Sequence, residues 1–208
     1  YMISVIMPTM FVPDGVVELV KEVTSHPLVS ELILIDNTND DEIHIKEEIP
    51  KLVYIKEGRN TYVNPAWNKG YSIAKEDKLM FLNDDITTDW SLLDKIHDSI
   101  TEDKGIIGLG DGCWTEPKGR FLLTPIYQLI GGFACLFFIH KNSYRPIPEE
   151  LKVWYGDNFL IHKGPKQAFQ MLNWKMGGHI SKTVLKAEFS PVIREDGIAW
   201  SNVISKMR

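Results

Sequence analysis

The chain has 208 residues, 44% of them hydrophobic and 25% charged, with a net charge of −5. That suffices for one sizeable core but hardly for two full domains. The acidic balance, with no long Lys/Arg cluster, argues against an extended nucleic-acid groove or an anionic membrane surface, so nucleic acid is not an expected partner.

The opening YMISVIMPTM carries no basic leader or cleavage pattern and already reads as a strand. Within it ISVIMPT (3–9) is a continuous apolar run, suited to a strand buried on both faces. DGVVELVKEVTSH (14–26) then places Val16, Val17, Leu19, Val20 and Val23 on one helical face, with Asp14 as the expected N-cap and Pro27 as a stop. ELILIDNTND (31–40) predicts a second buried strand, and KLVYIKEG (51–58) a third, with a short helix between them. NPAWNKGYSIAKED (64–77) reads as a helix entered through Asn64-Pro65. KLMFLNDDI (78–86) is the fourth strand. Strands alternating with helices predict an α/β fold with a mostly parallel sheet.

After residue 90 the pattern loosens. WSLLDKIHDSI (90–100) predicts an amphipathic helix, GIIGLG (105–110) a short strand, and GGFACLFFIH (131–140) another strand after a Gly/Pro/aromatic loop. The longest apolar stretch, LIGGFACLFFI (129–139), is too short to span a bilayer. Cys113 and Cys135 have neither metal-ligand spacing nor a disulfide framework. A soluble, cytoplasmic protein without a transmembrane segment is therefore expected. Residues 155–178 read as helical with a break at Gly164-Pro165, 179–190 as a late strand, and the tail from Pro191 as polar and partly mobile. The expected organisation is one domain, with a nucleotide-binding half over 1–86 and an acceptor and catalytic half over 87–208.

In open α/β sheets ligands bind at the carboxyl ends of the strands. Those ends carry Pro8 and Thr9, Asp36 and Asn37, Arg59 and Asn60, then Asn83, Asp84 and Asp85. Loop polarity explains any one of them, but explains poorly four ends that converge on acids, amides and a guanidinium. The set suits a nucleoside diphosphate with a divalent cation. Asp36 can accept from a base N–H or a ribose hydroxyl, Arg59 can offer a planar fork, and Asp84 and Asp85 are hard oxygen ligands for Mg²⁺ or Mn²⁺. Neither G-x-G-x-x-G nor G-x-x-x-x-G-K-[ST] occurs, which argues against NAD and P-loop chemistry.

ISVIMPT, ELILIDNTND, GRNTYVNPAWNKGYSIAK and KLMFLNDD together resemble, in order and spacing, the nucleotide-sugar half of the family-two inverting glycosyltransferases of the GT-A fold. The resemblance covers roughly the first ninety residues. Asn60 and Asn68-Lys69-Gly70 keep the spacing of the family's third element, with Tyr62 in place of its first Gly. The resemblance implies that Asp36 lies at the base or ribose, Asp84 near ribose and metal, and Asp85 on the metal itself. Asn83 stands where the family's D-x-D motif has its first acid. IGGFACLFFIHKNSY resembles the family's later Gly-containing strand, and Gly131 and Gly132 would admit the donor sugar there, a strand bulge being the alternative. VWYGDNFLIHK resembles the acidic element, making Asp157 the implied base, although an Asp at that place also suits a helix cap. For the third metal ligand that many relatives place after the last strand, Glu188 lies nearer the expected position, whereas His179 precedes that strand and reads rather as a surface or structural histidine. Trp114, Trp154 and Tyr155 can stack on sugars but are more often core; His140 and His162 carry no motif.

The implied activity is metal-dependent (Mn²⁺ or Mg²⁺) inverting transfer from a nucleoside-diphosphate sugar, UDP-linked, to a glycan, glycoside or glycoprotein hydroxyl. The alternatives are a nucleotidyltransferase, which usually has a Gly-rich basic loop where this chain has PTMFVPDG, and a non-catalytic nucleotide-sugar or glycan-binding module.

Overall fold

The computed structural model describes residues 2–127, 130–178 and 189–206. The order of elements is β1 (Ile3–Thr9), α1 (Val16–Ser25), β2 (Val29–Asp36), β3 (Leu52–Lys56), α2 (Val63–Ile73), β4 (Lys78–Leu82), β5 (Ile86–Thr88), α3 (Leu92–Ile96), β6 (Ile107–Leu109), β7 (Leu122–Pro125), β8 (Leu136–His140), α4 (Gly156–Lys163), β9 (Phe169–Leu172), β10 (Met176–Gly178) and α5 (Ser190–Ser205). An eight-stranded sheet runs β3-β2-β1-β4-β8-β6-β9-β7, and β5 and β10 form a separate antiparallel ribbon.

The α/β architecture expected from the sequence is present. β1, β2, β3 and β4 are mutually parallel. β8 enters antiparallel between β4 and β6, and β7 lies antiparallel to β9 at the edge. Side chains alternate along β1: Ile3, Val5 and Met7 join α1 and α3 in one core, while Ile6 joins α2 and α5 in the other. Both faces are therefore covered, which is why this strand is apolar throughout rather than alternating.

Several local expectations are corrected. The N-cap of α1 is Gly15, left-handed at φ 86°, and Asp14 makes no capping bond. No helix forms between β2 and β3. α2 begins at Val63, so Pro65 lies inside its first turn rather than at its first position. The strand expected from residue 131 begins at Leu136, after a 3-10 turn over Phe133–Cys135. The stretch read as one interrupted helix stops being helical at Lys163 and continues as β9 and β10. Short apolar runs such as FQML satisfy either periodicity, and here pairing with β6 and β7 decides. The tail expected to be polar and partly mobile is instead the 16-residue helix α5, with Pro191 in its first turn and Val192, Asp196 and Trp200 buried at four-residue spacing. The late strand expected over 179–190 falls largely outside the described residues, as do His179 and Glu188.

Candidate active site

β4 sits on the opposite side of β1 from β2 and β3. The strand order therefore reverses between β1 and β4, and a crevice opens at their carboxyl ends. Pro8 and Thr9 end β1; Asn83, Asp84 and Asp85 follow β4. The Thr9 hydroxyl donates to Asp84 Oδ2 at 2.6 Å and accepts from the Phe11 amide at 2.9 Å, tying the two strand ends together. Burial pushes Asp84 up to about 6, with the negative charge of Asp85 adding to the rise and the Thr9 hydroxyl opposing it.

The loop carrying these acids is pinned from behind by the β5–β10 ribbon, where Gly178 pairs with Ile86. Gly178 has φ 121°, and a Cβ there would lie 2.0 Å from the Asp85 carbonyl oxygen. Only glycine meets both demands.

A cleft there is lined by Pro8, Thr9, Asn37, Asn60, Tyr62, Asn83, Asp84, Asp85, Val153 and Phe189, among others. Asn60 and Tyr62 are fixed by a bond from the Tyr62 amide to Asn60 Oδ1 at 2.8 Å. Tyr62 holds φ 67°, a left-handed value where the resembled family has glycine. Asn37 is buried; its Oδ1 accepts from the Thr61 hydroxyl at 2.7 Å, and its Nδ2 donates to the Tyr62 carbonyl at 3.3 Å.

Asp36, for which the resemblance implies a place at the base or ribose, ends β2. It is fully buried and does not line this cleft. Its Oδ1 accepts from the Thr38 amide (2.9 Å) and hydroxyl (2.7 Å), and its Oδ2 from Tyr54 and from Lys56 at 3.2 Å. Burial alone would raise its pKa, but these bonds outweigh that and hold it below the usual carboxylate value. In this arrangement Asp36 orders the turn that carries Asn37 to the cleft.

A second cavity shares Asn83, Val63 and Val153 with the first and extends to Gly131, Gly132, Trp154, Tyr155 and Asp157. Asn83 thus stands where the two meet, its amide bonded to the Cys135 carbonyl at 3.0 Å. Asp157 lies in the first turn of α4, whose N-cap is Tyr155, so it is not the capping residue. Burial raises its carboxyl above the usual range, the Asn158 amide opposing. Burial also pushes the Cys135 thiol up to about 12, with the charges of Asp85 and Asp157 contributing. Gly132 is left-handed at φ 73° and packs on the Trp114 ring.

The remaining sequence-derived positions lie further out. Arg59 and Asn68 line a neighbouring cleft that shares Asn60 and Tyr62 with the first. The Asn68 amide is engaged with the Tyr144 hydroxyl and the Ile147 backbone, tethering α2 to the 144–147 segment. Trp154 and Tyr155 line the second cavity, whereas Trp114 packs against the core. His140 caps the turn at Asn142 and His162 lies beside the Trp200 ring. Val153 and Phe189 of the first cleft carried no signal in sequence, because ordinary apolar residues show their position only in the fold.

Among the described residues no group of three or more His, Cys, Asp and Glu is gathered to hold a metal. The Asp84–Asp85 pair fits the other common arrangement, in which Mg²⁺ or Mn²⁺ takes one or two carboxylates and completes its shell with substrate phosphates and water. No described helix is long and apolar enough to cross a membrane.

The sequence model described as "Glycosyl transferase family 2" matches residues 4–146. No curated protein matches the chain. Among solved structures, S. aureus TarS 1-349 superposes with a TM-score of 0.61 at 15% identity, covering 85% of this chain and 59% of that one. The same TarS fragment in complex with UDP gives 0.61 at 14% identity, covering 95% and 65%. Its complex with UDP-GlcNAc gives 0.57 at 13% identity, covering 95% and 66%. The chain therefore spans less than two thirds of the length of these structures, and at such identities the likeness is one of fold.

Proposed function

The chain belongs to glycosyl transferase family 2, and from that membership we propose that it transfers a sugar, with inversion, from a UDP-linked donor to a hydroxyl of a glycan, glycoside or glycoprotein acceptor. The observation that carries this reading is the placement of Asp84 and Asp85 in the first cavity and of Asn83 where it meets the second, which Asp157 lines. In this reading the nucleotide lies over the β1 and β4 ends and its sugar extends past Asn83 toward Gly132 and Asp157. The UDP and UDP-GlcNAc held by TarS are consistent with the donor class.

Each residue has a distinct task in this reading. Asp85 and Asp84 would hold a divalent cation, which when bound would neutralise charge on the departing diphosphate. Asn83 offers its side-chain amide to a donor hydroxyl, and Gly132 lines the cavity that takes the sugar. Asp157 accepts the acceptor's hydroxyl proton as that oxygen attacks the anomeric carbon opposite the leaving group, and attack from that face inverts the centre. Burial of Asp157 favours proton uptake and so suits a general base.

The test joins binding to turnover. UDP-sugars are screened for thermal stabilisation with and without Mn²⁺, since a bound ligand raises Tm by mass action. Asp85→Ala is expected to abolish the Mn²⁺-dependent part. Asp157→Asn is expected to keep donor binding and lose transfer by about 10²-fold or more. Full transfer by Asp157→Asn would remove it as the base; donor binding without turnover in the wild type would leave a binding module.

A further inference from the structure

α5 grips the wall between the two cavities. Asp196, on α5, is fully buried. Its Oδ1 accepts from the Lys152 amide at 2.9 Å, and its Oδ2 from the Val153 and Trp154 amides, each at 2.7 Å. Three consecutive backbone donors thus converge on one carboxylate. The carbonyl side of the same loop is held by Asn64 of α2: Nδ2 donates to the Leu151 and Trp154 carbonyls at 3.1 and 3.2 Å, and the Asn64 amide to the Lys152 carbonyl at 3.0 Å. The Tyr155 ring stacks on Trp200, one turn beyond Asp196, with centroids 5.6 Å apart and planes 8° from parallel.

What this grip holds is specific. Val153 lines both cavities, Trp154 and Tyr155 line the second, and Asp157 lies in the first turn of α4, three residues after the last anchored amide. Tyr155 is held at φ 66°, a left-handed value costly for a tyrosine, and such a conformation persists only where its surroundings over-determine it. A buried carboxylate is also costly unless hydrogen-bonded, and here three backbone amides donate to it. Ordinary helix docking needs no such group, since an apolar residue would fill the space.

We propose that Asp196 is a positioning residue for the transfer reaction: by clamping the 152–154 backbone it sets the cavity wall and, through it, the placement of Asp157. This rests on the reading of Asp157 as the base, and the test is arranged so that the two fail separately.

Asp196→Asn keeps size and one acceptor oxygen but turns an amide donor toward the loop's own N–H groups. With the fold intact by circular dichroism, and with UDP-sugar affinity and binding stoichiometry unchanged, kcat for transfer is expected to fall about 10–100-fold, the scale associated with misplacing a catalytic group by about 1 Å. Glu195→Gln serves as the control. It removes the exposed ion pair of the same helix to Lys152 (2.6 Å) and should leave kcat within about twofold. A kcat for Asp196→Asn within about twofold of wild type overturns the proposal, and so does an equal loss in Glu195→Gln. Hydrogen exchange on the wild type decides independently of activity and of whether the variant folds. The Lys152, Val153 and Trp154 amides should exchange slowly and in one class with the Asp157 segment. Exchange at the rate of exposed loop amides overturns the clamp. Slow exchange in a protein that transfers no sugar would uphold the clamp and reject the glycosyltransferase reading.

Discussion

Gly156→Ala is the substitution on which local propensity and tertiary structure disagree most sharply. Alanine is the better helix former, by about 1 kcal/mol in a helix interior, and Gly156 opens α4. Propensity alone therefore predicts a gain. The structure predicts a loss, because a Cβ at 156 would lie 2.2 Å from Asn64 Oδ1, 2.9 Å from its Cγ and 3.1 Å from Ile147 Cδ1. Asn64 is fully buried and cannot swing away without releasing its two Nδ2 bonds to the Leu151 and Trp154 carbonyls. Losing two such bonds costs about 1 kcal/mol each, and leaving the amide or its carbonyls unsatisfied adds about 1–3 kcal/mol. Offset by the propensity gain, the net loss is about 2–4 kcal/mol, or roughly 5–15 °C in Tm for a chain of this size. Thermal and urea unfolding of Gly156→Ala, Asn64→Ala and the double variant measure it. In the Asn64→Ala background the methyl has room, so the further cost of Gly156→Ala should nearly vanish, giving a coupling of about 2–4 kcal/mol. A Gly156→Ala change within about 0.5 kcal/mol of zero would refute the reasoning, as would an undiminished cost in the double variant.

Two further outcomes follow from the same geometry. Burial raises Asp157, so if it is the base, kcat/KM for transfer should climb with pH through a midpoint above the ordinary carboxylate range and then level; a midpoint near 4 would contradict this. The matching stability effect has a definite sign. The folded state holds this proton more tightly than the unfolded chain, so the penalty is absent below the unfolded value of 3.8 and grows as pH rises toward the raised folded value. Asp157→Asn should accordingly stabilise the protein at pH 7 relative to wild type and gain little at pH 3, read as the two Tm differences. At the acid loop, Gly178→Ala drives a methyl against the Asp85 carbonyl from a φ of 121°. The helices and main sheet should survive, while Mn²⁺-dependent stabilisation by UDP drops; a variant with the full effect would show that the β5–β10 ribbon does not set the Asp84–Asp85 loop.

The first ninety residues were legible because their pattern is local. Runs such as ISVIMPT and ELILID are buried on both faces, so hydrophobicity alone marks them, and each breaks at its carboxyl end into residues that line or support the cleft. The helix after residue 190 left a readable trace in Pro191 and the spacing of Val192, Asp196 and Trp200, but its charged residues resemble a solvated tail until the partners of Asp196 are seen. β7, β9 and β10 left almost none, since runs of three or four residues fit either periodicity and become strands only by pairing with distant segments.

By itself, then, the sequence determined the α/β class, the order of the nucleotide-side strands and the residue types at their ends, because these depend on neighbours a few positions away. The tertiary structure alone decided what each of those residues faces. It turned Asp36 inward, where Tyr54, Thr38 and Lys56 occupy both its oxygens, and brought Asn83 to the junction of two cavities. It also set Asp196 under the loop that leads to Asp157, 39 positions earlier in the chain. Burial and hydrogen-bond partnership across such separations are properties of the packed chain, and no local pattern encodes them.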